Sequence, residues 1–180
     1  MIDFPFRFDN KRTAFSDECY GVIGRALAFA QRFEGDCRAL ALLLHIKTRP
    51  EFIVERDKDY EKFCEIVNKL WRRILNQQIE SLSQYFELIR DVSDILRQGR
   101  EARNTIAHEI AMGIQHDIET DDGRAKVIEE IETEVRKIAK ADRIVCFLMH
   151  ISTNEPLPNS DYIKDYSDRV ANWVCEVEYS

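Results

Sequence analysis

The apolar residues of this chain recur every three or four positions almost from end to end, and that periodicity confines it to helices. Between Ser16 and Pro50 the stripe runs Ile23, Ala26, Leu27, Ala30, Phe33, Cys37, Leu40, Ala41 and Leu44. Ser16 can cap that helix, with Asp17 and Glu18 favourable in its first turn, and Pro50 stops it. After a connector over 51–56, Asp57 caps a second stripe of Tyr60, Phe63, Val67, Leu70, Ile74 and Leu75. The stretch from Asn76 to Ser83 reads as a turn or as continuous helix. Ser83 then heads a third stripe, Phe86, Ile89, Val92, Leu96, Gly99, Arg103, Ile106 and Ile110, ended by Gly113 and the acidic loop 119–123.

A fourth stripe carries Ile128, Ile131, Val135, Ile138, Val145 and Leu148, with Glu129, Glu130, Glu132 and Glu134 mostly on the solvent side. Beyond Pro156 and Pro158, Ser160 caps a fifth with Ile163, Tyr166, Val170, Trp173 and Val177. Phe4-Pro5-Phe6-Arg7-Phe8 alternates with period two and contains a proline, which suits a short extended N-terminal arm over 1–15. The expected fold is all-α: one domain over 1–180, an antiparallel bundle of four to five long helices joined by short connections.

Composition narrows the function classes. The longest apolar stretch, Leu40 to Ile46, falls far short of the roughly 20 residues that span a bilayer, so no membrane partner is expected. Met1-Ile2-Asp3-Phe4-Pro5 has no basic region followed by a hydrophobic one, which points to a cytoplasmic protein without a secretory signal. Cys19, Cys37, Cys64, Cys146 and Cys175 are dispersed, with no CxxC, and read as buried small apolar residues in a reducing compartment. A net charge of −7 argues against a protein that binds DNA by broad phosphate neutralisation.

Metal and cofactor chemistry find no foothold either. No His has the Glu three residues earlier that a di-iron carboxylate bundle needs, and His108-Glu109-Ile110-Ala111 is followed by Met112, which breaks HExxH. His116-Asp117 lacks a helical partner His, and there is neither a Gly-rich phosphate loop nor GxSxG. His45 and His150 fit a core boundary and a helix end.

The stretch Gln98-Gly99-Arg100-Glu101-Ala102-Arg103-Asn104-Thr105-Ile106-Ala107-His108 is different. Arg103 sits on a core-facing stripe, where a permanently charged guanidinium must find a partner or line a cleft. Gly99, one turn earlier, leaves room for another backbone or a ligand. Asn104 and His108 share the adjoining face with Arg100, and Arg103 lies about 140° from His108 around a regular α-helix. The loose spacing Arg-x(4–6)-His occurs three times, from Arg38, Arg103 and Arg143 to His45, His108 and His150, and carries little information. The tight form Arg-Asn-x-x-x-His occurs once, against roughly 0.015 occurrences expected by chance from 17 Arg, seven Asn and four His.

Arg103-Asn104-Thr105-Ile106-Ala107-His108 on an all-helical chain of this size resembles the HEPN superfamily. The resemblance implies a metal-independent endoribonuclease, of a toxin–antitoxin or phage-defence kind, with Arg103 and His108 catalytic and Asn104 and Arg100 in support. Chemically the set is apt: imidazole, with a free pKa near 6.5, can take or give a proton at neutral pH, and a guanidinium fork can hold two phosphate oxygens. No metal or cofactor is needed. One chain supplies one such His, so the resemblance implies a homodimer with a composite site, acting on single-stranded or loop RNA through its 2′-hydroxyl and not on DNA. An antitoxin or regulatory protein is a further implied partner, although Ile110 stands where the subgroup paired with a nucleotidyltransferase antitoxin has Tyr.

Two other readings stay open. One is a HEPN-like module that binds a nucleotide, RNA or protein without cleaving it. The other is an unrelated helical interaction domain in which Arg103 pairs with a buried acid such as Glu34.

Overall fold

The computed structural model describes residues 13–49, 54, 56, 58–110 and 118–176. The described residues contain helices and no strand. In chain order these are α1 (Ala14–Lys47), α2 (Tyr60–Trp71), α3 (Leu75–Tyr85), α4 (Arg90–Asn104), a π-helical turn (Thr105–Ile110), α5 (Asp121–Thr153), α6 (Ser160–Lys164) and α7 (Tyr166–Cys175). The expected arm Phe4–Phe8, the Pro50 stop, the Asp57 cap, Gly113 and the His116-Asp117 pair lie outside the described residues.

The helices start where small polar side chains meet free backbone N–H groups. Thr13, not Ser16, is the N-cap of α1; Ser16 sits three residues on and completes a capping box, its N–H donating to Thr13 Oγ1 and its Oγ accepting from the Thr13 N–H. Asp59 caps α2, Thr120 caps α5, and Asn159, one residue before the expected Ser160, caps α6. Asn154 closes α5 in the left-handed region, φ 57°, which Asn tolerates better than most residues.

Two boundaries depart from the sequence reading. Asn76 to Ser83 is continuous helix within α3, so Ser83 does not head a helix; the breaks fall at Arg72–Ile74 and Phe86–Ile89, where Glu87 adopts φ 48°. The expected fifth helix is two pieces divided at Asp165; Ala171 and Val174 are fully buried, the expected Tyr166 and Val170 pack partly buried against the core, and Trp173 is exposed.

The long stripes behave as their spacing requires. Ile23, Ala26, Ala30, Phe33, Cys37, Leu40 and Leu44 of α1 are buried, as are Ile131, Val135, Ile138, Val145 and Leu148 of α5. Links between these two helices climb in the same order on both: Glu18 with Arg124, the charge of Arg32 with Asp142, then Lys47 with the Ser152 carbonyl. They therefore run parallel. On α7, Tyr166 bonds Asp142 while Asp168 pairs with Arg136, so that helix runs against α5. At Gly99, α4 comes so close to α5 that a Cβ would overlap Ala141 and sit 3.3 Å from Phe33 Cζ of α1. The space left at Gly99 is thus filled by neighbouring helices. All five cysteines are free, Cys19 and Cys37 are buried, and burial raises the Cys37 thiol well above its ordinary value, consistent with packing and not reactivity. No described helix is long and apolar enough to cross a membrane.

Candidate functional site

The Arg-Asn-x-x-x-His stretch straddles a change of helix type. Arg103 and Asn104 end α4, and Thr105 to Ile110, which includes His108, forms the π-helical turn. Ile106 and Ile110 hold that turn to the core. A π-helix bonds residue i to i+5 and turns less per residue than an α-helix, so the rotation from Arg103 to His108 is smaller than the 140° of regular helix. His108 and Asn104 are exposed, and Arg100 and Arg103 are half-buried.

Arg103 has found a carboxylate. Its Nη2 lies 2.5 Å from Glu34 Oε2 of α1, with only 16% and 14% of the two side chains exposed, and its Nη1 donates to Asn104 Oδ1 at 3.3 Å. Glu34 is shared, because Arg38 Nη2 donates to its other oxygen at 2.9 Å. Arg38 in turn stands 5.2 Å from the centre of the Trp71 ring. The result is a partly desolvated Arg–Glu–Arg cluster with one positive charge in excess. Nε of both Arg38 and Arg103 is buried without a hydrogen-bond partner. Arg100 turns elsewhere, donating to Asn76 Oδ1 of α3 and lying 3.3 Å from Glu101.

The structure therefore brings Arg103 and Asn104 into contact and ties each arginine to a partner on a neighbouring helix. Among the described residues, no side-chain hydrogen bond joins His108 to Arg100, Arg103 or Asn104. Glu34 was visible in the sequence as an acid flanking the α1 stripe. Asn76 was not, since the residues around it left helix and turn undecided. The π turn was also hidden: Thr-Ile-Ala-His-Glu-Ile has ordinary helical spacing and no Gly or Pro to mark it.

Among the described residues no group of His, Cys, Asp or Glu could hold a metal ion. No protein-family model, curated protein or solved structure matches the chain.

Proposed function

We propose that this chain is a HEPN-like helical domain that binds RNA and cleaves it without metal, with Arg103 and His108 as catalytic residues and Asn104 and Arg100 supporting them. The observation that carries the reading is the π turn inside the motif. Such turns are rare and concentrate at functional sites; here it leaves His108 exposed within five residues of a guanidinium anchored on a second helix. In this reading α1, α4, α5 and α7 form an up-and-down antiparallel bundle, and two copies set their motif turns across one groove.

The chemistry follows from the groups. An RNA phosphate entering the groove competes with Glu34 for the Arg103 fork, whose planar donors suit two phosphate oxygens. One imidazole takes the proton of the 2′-hydroxyl and the imidazole of the second copy protonates the departing 5′-oxygen, leaving a 2′,3′-cyclic phosphate. The requirement for a 2′-hydroxyl selects RNA over DNA, in single-stranded or loop form. A toxin or defence role held in check by an antitoxin or regulatory protein, in the cytoplasm, belongs to the same reading.

Incubation of the purified protein with RNA in EDTA tests it. Cyclic-phosphate ends are expected, and His108→Ala should reduce their formation at least a hundredfold without changing the helical circular dichroism. Undiminished cleavage by that variant sinks the assignment. One observation favours a different reading, the unrelated helical interaction domain: Arg103 is paired with Glu34, the acid that reading calls for, although Glu34 also serves Arg38. An intact protein that neither binds nor cleaves RNA would select it, and RNA binding without a cyclic-phosphate product would select the non-cleaving HEPN-like module.

A further inference from the structure

Arg143, Phe147 and His150 follow one another at four- and three-residue steps, so they share one face of α5. They line a cavity of about 170 Å³, together with Arg32 of α1 and with Tyr162 and Tyr166 from the segment that folds back over α5. Arg143 is exceptional. Among the described residues the half-buried arginines 25, 38, 100, 103, 124 and 136 each donate a hydrogen bond or meet a carboxylate, and Arg143 does neither. His150 adds a buried orphan: its Nδ1 has no hydrogen-bond partner and lies 3.6 Å from Glu155 Oε2, too far for a bond.

No carboxylate lines the cavity. The acids nearby are engaged behind it or outside it. Asp142 is buried and accepts from the Tyr166 hydroxyl, Asp36 meets Arg32 at 3.5 Å in a solvent-screened pair, and Glu155 is largely exposed. Two guanidiniums and an imidazole around a hollow with no carboxylate in its lining suit an anion with several acceptor oxygens, since no described protein group takes the donors of Arg143 and they stay open to one. Phe147 and the rings of Tyr162 and Tyr166 add apolar wall, which bare phosphate would leave unused. At about 30 Å³ per water the volume holds some five or six waters, enough for a phosphate and a small attached group.

We propose that this cavity is a binding site for a phosphomonoester. Arg143 and His150 take its oxygens, Arg32 supplies charge at the rim, and the esterified group rests against Phe147 and Tyr162. None of Arg100, Arg103, Asn104 or His108 takes part, so the site stands or falls independently of the RNA-cleavage reading. The ester has two possible sources, a free small phosphate ester or the phosphorylated end of an RNA, and both present the same group.

Titration calorimetry on the whole chain tests this with phenyl phosphate, phenol, inorganic phosphate, and a short RNA with either a 5′-phosphate or a 5′-hydroxyl. Phenyl phosphate is expected to bind more tightly than phenol or inorganic phosphate. Arg143→Met should weaken it at least tenfold with the melting temperature held, and Arg97→Met, on α4, should leave it unchanged. Tighter binding of the 5′-phosphorylated RNA than of its 5′-hydroxyl form, lost in the same variant, assigns the site to RNA ends. Overturning results are no binding of either phosphorylated probe, equal binding of phenol and phenyl phosphate, or an Arg143→Met protein that binds as well as wild type.

Discussion

The seam where α4 crosses α1 and α5 and the flank where α2 lies are both built from amphipathic helices, yet only the first is a core. At the seam Phe33, Leu96, Ala102, Ile106, Ile138 and Ala141 are all 1% exposed or less. In α2 no residue is buried, although Phe63, Val67 and Leu70 recur at helical steps and Lys62, Glu65 and Lys69 occupy the other side. The same periodicity thus has two outcomes. What separates them is the number of apolar surfaces available: the seam is covered by two helices at once, with Gly99 permitting close approach, while the tertiary contacts of α2 are chiefly with α1. Periodicity reports which face of a helix can be buried, and packing partners decide whether it is.

The sharpest way to break this contrast is a pair of truncations. Phe33→Ala removes a fully buried ring beside Gly99 and should cost about 3–5 kcal/mol, since neighbouring helices cannot collapse into the space. Val67→Ala in α2 should cost under about 1 kcal/mol, because its methyls are already partly hydrated. Urea unfolding of both variants measures the gap. Equal losses would mean that α2 is as much a part of the core as the seam.

The same contrast explains how much of the molecule was legible in its sequence. The stripes of α1 and α5 could be read because each helix is long and buries one continuous face, so every third or fourth residue repeats the signal. Tyr166 and Val170 of the fifth stripe pack against the core, and the stripe departs at Trp173 because the next inward position lies four residues on from Val170, at Val174, and not three. At the candidate site, Arg103 was legible as a charge on an apolar stripe, and the acid it needs stood on α1 as Glu34. The interhelical partner of Arg100 was not, for nothing local to Asn76 says that α3 passes beside α4. The π turn leaves the composition untouched and shows only in the backbone.

A smaller effect comes from the charge buried at the seam's edge. Asp142 is fully buried; desolvation raises its carboxyl pKa, against the opposing pulls of the Tyr166 hydroxyl and the Arg32 guanidinium, while the charge of Asp36 adds to the rise. With the folded value above the unfolded one, its contribution to stability is complete below the ordinary carboxylate range and is lost as pH rises through the folded value. Asp142→Asn keeps an acceptor for Tyr166 and carries no charge. It should therefore be more stable than wild type by about 1 kcal/mol at pH 7, and the difference should shrink on acidification toward the usual carboxylate range. An Asn variant less stable than wild type at pH 7 but not at low pH would show that the attraction between the Arg32 and Asp142 charges outweighs the burial of the carboxylate.

The smallest expected effect lies on the α2 flank itself. Trp71 is 44% exposed, and its ring faces the Arg38 guanidinium, which is simultaneously held by Glu34. A cation–π contact at so exposed a position contributes roughly 0.5–1 kcal/mol, and Glu34 keeps Arg38 in place when the ring is gone. Trp71→Ala should lower the melting temperature by no more than about 2–4 °C, the shift that 1 kcal/mol produces in a domain of this size. Because Glu34 also holds Arg103, the variant further asks whether the flank and the seam are mechanically joined. RNA cleavage or binding unchanged in Trp71→Ala means that the Glu34–Arg103 pair is set by α1 and α4 alone. A loss of either with the fold intact would make α2 a third support of the motif, and the contrast between seam and flank would then hold for burial but not for function.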